Sequence, residues 1–273
     1  MKWRRVLAFF DRPLRVHTVV MQRYEIERII GMGSYGFTYV VRDLLSGKKQ
    51  VLKQLRKSKQ RSQSGRKSFS YEKEMLEKLA HPAIPSLFHS FTWKNQFFFV
   101  MEYMQGKTFE DLIFFEGKVY TEQDVFEILH KILEVVSYFH KKGIVHRDLR
   151  IPNILMNNNE IFIIDFGLAR FVGESDERAH SYKDEQAYMR EVHFRSDFYA
   201  LGHFVLFLLY SGYEASQVEE RPWYEELAIS HAGCEIIMRM LQMKEPYYEN
   251  VQAVIHDVQH ILEGMRKPCS KSF

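Results

Sequence analysis

Residues 146–167 read HRDLRIPNILMNNNEIFIIDFG. Asp148 is followed by Asn153 five residues later and by Asp165 twelve residues after that. The apolar runs between them predict a short strand, a loop and a second strand. Three oxygen-bearing side chains at that spacing suit a magnesium–phosphate site. Phosphoryl transfer asks for oxygen ligands to Mg²⁺, a group that orients the attacking hydroxyl, and cations for the phosphates. The plain alternative is a polar loop between two apolar strands, and it requires three independent spacings to match by accident.

Composition bounds what surrounds this segment. A chain of 273 residues with 46% apolar content can bury a real core, as one large domain or as two lobes around a cleft. No repeat of 20 to 50 residues is visible. Cys234 and Cys269 are the only cysteines, too few for a disulfide framework or a cysteine-rich metal site, which makes a reducing cytoplasm the expected setting. The longest apolar run, Phe204 to Tyr210, is far short of the roughly 20 residues of a membrane span and reads as a buried helix. Val6 to Phe10 is too short for a signal peptide and runs into Asp11, Arg12 and Pro13.

Charge is unevenly spread. Residues 1–67 hold 17 Lys and Arg against 4 Asp and Glu, although the whole chain is only +3. Lys48 to Lys67 contains nine basic residues and no acidic one. The run reads as a solvated loop in front of a helix rather than a docking patch for an acidic substrate or a membrane surface. Nucleic acid is not an expected partner, because the run lacks aromatic stacking residues and no recognised nucleic-acid module appears. Residues 1–23 form a basic extension carrying Trp3, Phe9 and Phe10. Packing or disorder is favoured there over peripheral membrane contact, since Pro13 limits any continuous helix.

Read along the chain, the first hundred residues predict a small sheet with one helix. Tyr24 to Val41 alternates around a glycine cluster, with a turn at Ser46 and Gly47, and Gln50 to Leu55 is another strand. Ser70 to Ala80 has Met75, Leu76 and Leu79 at helical spacing and stops at His81 and Pro82. Phe97 to Met101 is an apolar strand, and Gln105 with Gly106 marks a hinge. Beyond it, Val125, Ile128, Leu129, Ile132, Leu133, Val136 and Phe139 share one face of a helix from Glu122 to Lys141, closed by Gly143. The remainder is predicted mostly helical.

The glycine cluster Gly31-Met32-Gly33-Ser34-Tyr35-Gly36 is a G-x-G-x-x-G, weak by itself. Its flanks decide between meanings: a dinucleotide fingerprint opens a helix, whereas Phe37-Thr38-Tyr39-Val40-Val41 is β-like. Seventeen residues beyond Gly36 stands Lys53 in Val-Leu-Lys, and Glu72 lies ten residues before Pro82. Together with HRD, Asn153 and DFG, these motifs resemble the eukaryotic-type (Hanks-type) serine/threonine protein kinases, in a bacterial-looking member. The resemblance spans about residues 24–264.

It implies an α+β, bilobal protein-kinase-like fold: a small antiparallel sheet with one main helix as N-lobe (24–104), a mostly helical C-lobe (105–264), the N-terminal extension (1–23) and a tail (265–273). It further implies ATP with Mg²⁺, or Mn²⁺ in its place, and transfer of the γ-phosphate to Ser or Thr hydroxyls of proteins, with autophosphorylation. Asp148 would be the base, Arg150 and Lys53 phosphate contacts, and Glu72, with Glu74 as runner-up, the partner of Lys53. Asn153 and Asp165 would hold metal. Gly31, Met32, Gly33, Ser34, Tyr35, Gly36 and Thr38 would cover the nucleotide; Val51 and Leu155 would sandwich adenine; Met101, Glu102 and Met104 would line its edge. Leu76, Leu87, His146 and Phe166 match the family's apolar spine, anchored by Asp197. Arg147 resembles the arginine that receives a phosphorylated activation segment, with Ser175, Ser181, Tyr182 and Tyr188 as acceptors.

Departures from the family concern the acceptor. Arg150 stands where a Lys is usual, a change of geometry at constant charge. Asp165 and Asp197 are only 32 residues apart, and no Ala-Pro-Glu closes the segment, Met189-Arg190-Glu191 being the nearest string. The arginine that would pair with that glutamate is also missing around Glu245-Pro246-Tyr247-Tyr248. Two other functions therefore stand beside the protein kinase: a kinase-fold enzyme acting on a small molecule, and a non-catalytic nucleotide-binding scaffold. The protein substrate and the oligomeric state are not legible in the sequence.

Overall fold

A computed structural model describes residues 11–33, 35–175, 185–214 and 221–266, and the chain divides into two compact units, 1–105 and 106–273. The first is built on an antiparallel sheet in the order β1-β2-β3-β4-β6-β5. Its strands are β1 (Val19–Val20), β2 (Tyr24–Met32), β3 (Gly36–Asp43), β4 (Lys49–Leu55), β5 (Leu87–Trp93) and β6 (Gln96–Glu102). Alternation puts Phe37, Tyr39, Val41, Leu52, Phe98 and Val100 on one face, where they close with Val20, Tyr24 and Ile26 into a buried core. The residues before β1 lie on that face: Leu14 packs against the core and its N–H donates to Tyr39 Oη at 3.0 Å, while Asp11 Oδ2 accepts the Ser58 N–H at 3.1 Å. Burial pushes the Tyr39 phenol up to about 12, and its hydroxyl donates to Gln54 Oε1. Within residues 11–20 of the basic extension, Asp11 and Leu14 thus tie the segment to the first unit and Val19–Val20 join its sheet, whereas Trp3, Phe9 and Phe10 lie outside the described residues.

The turn from β3 to β4 is organised by buried Asp43, which accepts from Arg23 Nε (2.7 Å), Arg23 Nη2 (2.9 Å) and Ser46 Oγ (2.8 Å). The Arg23 fork holds that carboxyl far below the ordinary carboxylate range. The basic run is not the loop its composition suggests. Its residues form β4, the short helix α1 (Lys57–Gln60) and the start of α2 (Gln63–Lys78). Most of its lysines and arginines occupy partly or fully exposed positions of regular elements, so a charged run and a strand coexist. Helix α2 also begins seven residues before the predicted Ser70. Its first two turns are polar and show no apolar period, but Ser62 Oγ accepts from the Gly65 N–H at 3.1 Å and caps it.

The second unit opens with β7 (Lys107–Thr108) and α3 (Phe109–Phe114), followed by α4 (Glu122–His140). A capping box of Thr121 and Asp124 starts α4, and all seven residues of the predicted apolar face are buried. Strand β8 (Ile144–Val145) leads into the catalytic-type loop, and β9 (Ile154–Asn157) pairs with β10 (Glu160–Ile163) across a two-residue turn. Asn158 and Asn159 both adopt positive φ there, 47° and 67°, which asparagine tolerates better than most residues and which matches the primed turns that join twisted strands. A 3₁₀ turn (Phe166–Leu168) and β11 (Arg170–Phe171), paired to β8, follow. The helices α5 (Glu185–Arg190), α6 (Phe194–Tyr210), α7 (Trp223–Glu226), α8 (His231–Met240) and α9 (Val251–Arg266) complete the unit. Among the described residues, no helix is long and apolar enough to cross a membrane.

Candidate active site

Two constellations carry the polar residues singled out by the sequence, one in each unit. In the first, Lys53 on β4 is paired in register with Thr38 on β3, which is paired in turn with Gly31 on β2. Directly opposed residues share a sheet face, so these three form one row on the face opposite the aromatic core. Val51 and Met101, also register partners, form the next row on that side. Lys53 Nζ donates to Glu72 Oε1, from a side chain only 14% exposed to one 9% exposed. Glu74 faces solvent, so Glu72 is the partner that helix phase presents. A largely buried ammonium is held here by a carboxylate that its own sheet and helix bring within reach.

The glycines differ in what they do. A Cβ on Gly36 would stand 2.6 Å from the Gln54 carbonyl oxygen, so the close approach of β3 to β4 requires glycine there. On Gly33 a Cβ would meet nothing nearer than 3.9 Å, which leaves the tip of the hairpin open. Met32 and Tyr35 flank the tip, and Ser34 lies outside the described residues. Glu102 ends β6, with Met104 buried just beyond it, whereas Leu155 lies on β9 in the second unit.

In the second unit one carboxylate fixes the loop. Asp197, fully buried in the first turn of α6, accepts the backbone N–H of Arg147 on Oδ1 (2.7 Å) and that of His146 on Oδ2 (2.9 Å). His140 Nε2 lies 2.8 Å from the same Oδ2. Arg147 adopts φ 67°, a left-handed conformation that costs a non-glycine residue about 1–2 kcal/mol, and these amide bonds offset it. His146 is wholly buried. Its Nδ1 accepts the Asp148 N–H at 3.2 Å and its Nε2 faces the Ile164 carbonyl at 3.1 Å, an arrangement that fits the neutral ring with its proton on Nε2. Burial accordingly depresses the pKa of His146, against the opposing pull of Asp197, Asp148 and Asp165. The His146 ring packs edge-on against Phe166, centroids 4.6 Å apart.

Asp148 is almost enclosed. Asn153 Nδ2 donates to its Oδ2 at 2.8 Å and to its backbone carbonyl at 3.0 Å. With the amide N–H groups so committed, the carbonyl oxygen of Asn153 is the end left to face a cation. Asp165 sits at φ 64° and accepts the Gly167 N–H at 3.3 Å. Among the described residues no three His, Cys, Asp or Glu side chains converge into a metal cage. Mg²⁺ needs none, since it is commonly held by one or two protein oxygens together with substrate phosphates and water, so the pair Asn153 and Asp165 fits it. Arg150 is largely exposed, with Nε 3.1 Å from Asp148 Oδ1.

Two arginines behave in ways the sequence did not announce. Arg147, expected to face a phosphorylated segment, is completely buried and donates to the carbonyls of Arg190 (Nε, 2.8 Å) and Leu168 (Nη1, 3.2 Å). Arg190, given no role by its motif context, donates through Nη1 to Asp148 Oδ1 at 3.0 Å and to the Arg147 carbonyl. The four suggested phosphoacceptors divide: Ser175 and Tyr188 are exposed, and Ser181 and Tyr182 lie outside the described residues.

The sequence profile of the protein kinase domain matches residues 24–272. The chain is 32% identical over 258 residues to the probable serine/threonine-protein kinase YbdM of Bacillus subtilis, covering 94% of this chain and 96% of that protein. It is 30% identical over 177 residues to the human serine/threonine-protein kinase Nek11, covering 63% of this chain but 27% of that longer protein. It is also 30% identical over 197 residues to the probable serine/threonine-protein kinase SCO3848 of Streptomyces coelicolor, 66% of this chain and 29% of the relative.

Proposed function

The chain belongs to the protein kinase family and is a protein serine/threonine kinase, and on that premise we propose that Asp148, Asn153, Asp165, Lys53 and Glu72 are its working residues. The acceptor hydroxyl oxygen attacks the γ-phosphorus of ATP as the bond to the β–γ bridging oxygen breaks and ADP departs. The hydroxyl proton passes to the Asp148 carboxylate. Lys53, steadied by Glu72, neutralises nucleotide phosphate, and the hairpin tip at Gly33 supplies backbone amides that approach phosphate without an intervening Cβ. Asn153 and Asp165 provide the oxygens for Mg²⁺, which when bound offsets the charge developing on the transferred group. Arg150, exposed and close to Asp148, contacts the phosphate in transit.

The observation that carries this reading is the bond from Asn153 to Asp148 on a loop whose backbone is fixed by Asp197. It is the arrangement a base needs, oriented yet with acceptor capacity remaining. Purified protein incubated with labelled ATP and Mg²⁺ is expected to label itself and a generic basic protein, and Asp148→Asn is expected to do neither. Labelling of small hydroxylated metabolites alone would move the acceptor to a small molecule. Nucleotide binding without transfer would make the chain a scaffold.

A further inference from the structure

Arg190 ends α5, two residues after Tyr188, whose ring stacks on Tyr199 of α6 with centroids 5.3 Å apart. That stacking places α5 against the helix that carries Asp197. From there Arg190 and Arg147 exchange bonds: each guanidinium donates to the other's backbone carbonyl. The Arg190 side chain, 16% exposed, spends a further donation on Asp148 Oδ1 at 3.0 Å. A carboxylate has about four acceptor sites, two on each oxygen. On Asp148 one oxygen, Oδ1, takes Arg190 and faces Arg150 Nε at 3.1 Å, while the other, Oδ2, takes the Asn153 amide and keeps one site.

We propose that Arg190 is a positioning residue for the transfer reaction, fixing the Asp148 carboxylate by Oδ1 so that Oδ2 is the oxygen presented to the acceptor hydroxyl. The inference rests on the reading of Asp148 as the base. A terminal carboxylate torsion is broad and two-fold in the absence of such a clamp. In this chain the clamp comes from the segment that lacks the family's usual closing motif: Met189-Arg190-Glu191 stands where Ala-Pro-Glu is expected, and its arginine reaches back 42 residues to the loop. The same contact braces the left-handed Arg147 backbone through its carbonyl, so base and loop are held by one side chain.

The full chain carrying Arg190→Ala, Arg190→Lys, Asp148→Asn and the double change Asp148→Asn/Arg190→Ala tests this with a basic protein acceptor. Arg190→Ala is expected to lower kcat about 10- to 100-fold with KM for ATP within about twofold, the scale of a misplaced catalytic group. Arg190→Lys should recover part of the loss, because it keeps one charged donor without the fork. In the Asp148→Asn background, measured in single turnover, removal of Arg190 should cost less than about twofold, since the residue acts through the carboxylate that is already gone. An unchanged kcat in Arg190→Ala, with Asp148→Asn inactive, overturns the positioning role alone. A raised kcat overturns it too, making the contact a plug on the base, and an undiminished loss in the Asp148→Asn background reduces Arg190 to a structural residue. Full activity in Asp148→Asn removes the parent reading and this one together. Should Arg190→Ala fail to fold, Arg190→Lys with an unaltered melting temperature carries the same comparison.

Discussion

Replacing Asp197 by asparagine changes one buried atom and is expected to loosen the loop that holds Asp148. The carboxylate accepts from two backbone N–H groups and stands 2.8 Å from His140 Nε2, with no solvent exposure. An amide offers a single acceptor oxygen. If that oxygen keeps His146 and His140, the new NH₂ faces the Arg147 N–H, and one buried donor is left without an acceptor at a cost of about 1–3 kcal/mol. The remaining bonds lose their charge assistance, roughly 1 kcal/mol each, while removal of a buried charge returns part of the sum. The net is about 2–4 kcal/mol, concentrated at residues 146 and 147 because Arg147 already bears the strain of φ 67°. Amide hydrogen exchange reads this directly: protection at Arg147 should fall by about 30-fold or more, and kcat should drop about 10- to 100-fold as Asp148 drifts. Unchanged protection at Arg147 together with kcat within about twofold of wild type would refute the assignment of Asp197 as the anchor.

Acid should destabilise the second unit through His146. Its folded pKa lies below the ordinary value near 6.5, so the unfolded chain binds the extra proton, and stability falls as pH drops from about 6.5 towards the folded pKa, by at most about 1.4 kcal/mol per unit; denaturant midpoints between pH 7 and 5 should show that component vanish in His146→Phe. Glu72→Gln should lower kcat/KM for ATP about 100-fold while Glu74→Gln stays within about twofold, and equal effects would break the pairing with Lys53. Gly36→Ala should destabilise the first unit by about 1–3 kcal/mol in chemical denaturation through its clash with the Gln54 carbonyl, against less than about 0.5 kcal/mol for Gly33→Ala. Because Arg147 is committed to backbone carbonyls, a variant with Ser175→Ala, Ser181→Ala, Tyr182→Phe and Tyr188→Phe should keep most of its activity, and its inactivation would mean that a phosphate is needed after all.

Local patterns in the sequence reached far. The apolar face of α4 and the strand–turn–strand from Ile154 to Ile163 are each set by neighbours in the chain and appear in the structure, and Asn153 meets Asp148 as their spacing allows. The choice of Glu72 over Glu74 needed only helix phase, which the sequence leaves uncertain by a residue. What escaped was either masked or non-local. The first turns of α2 are polar, so the helix shows its cap at Ser62 but no period. Within the basic run the strand Gln50 to Leu55 is legible, but the short helix Lys57–Gln60 is not, because charged side chains reveal little about the backbone that carries them. Leu14 and Asp11 pack on residues 25 and 47 positions away, and Arg190 meets Asp148 across 42. An arginine in a degenerate motif carries no mark of the carboxylate that it will reach; the packing of α5, with Tyr188 stacked on Tyr199, and the bonds exchanged with Arg147 bring it there.

Dependence of the loop on Asp197 also sets an order of events during synthesis. The ribosome delivers residues 146–148 about fifty positions before the carboxylate that fixes them, and α6 cannot dock before its own apolar residues, through Leu209, have emerged. Until then Arg147 has no reason to stay left-handed. A nascent chain therefore carries every side chain proposed to handle phosphate, from Lys53 to Asp165, before the loop at 146–148 is anchored, and a fragment ending ahead of Asp197 should be catalytically silent however well its first unit folds.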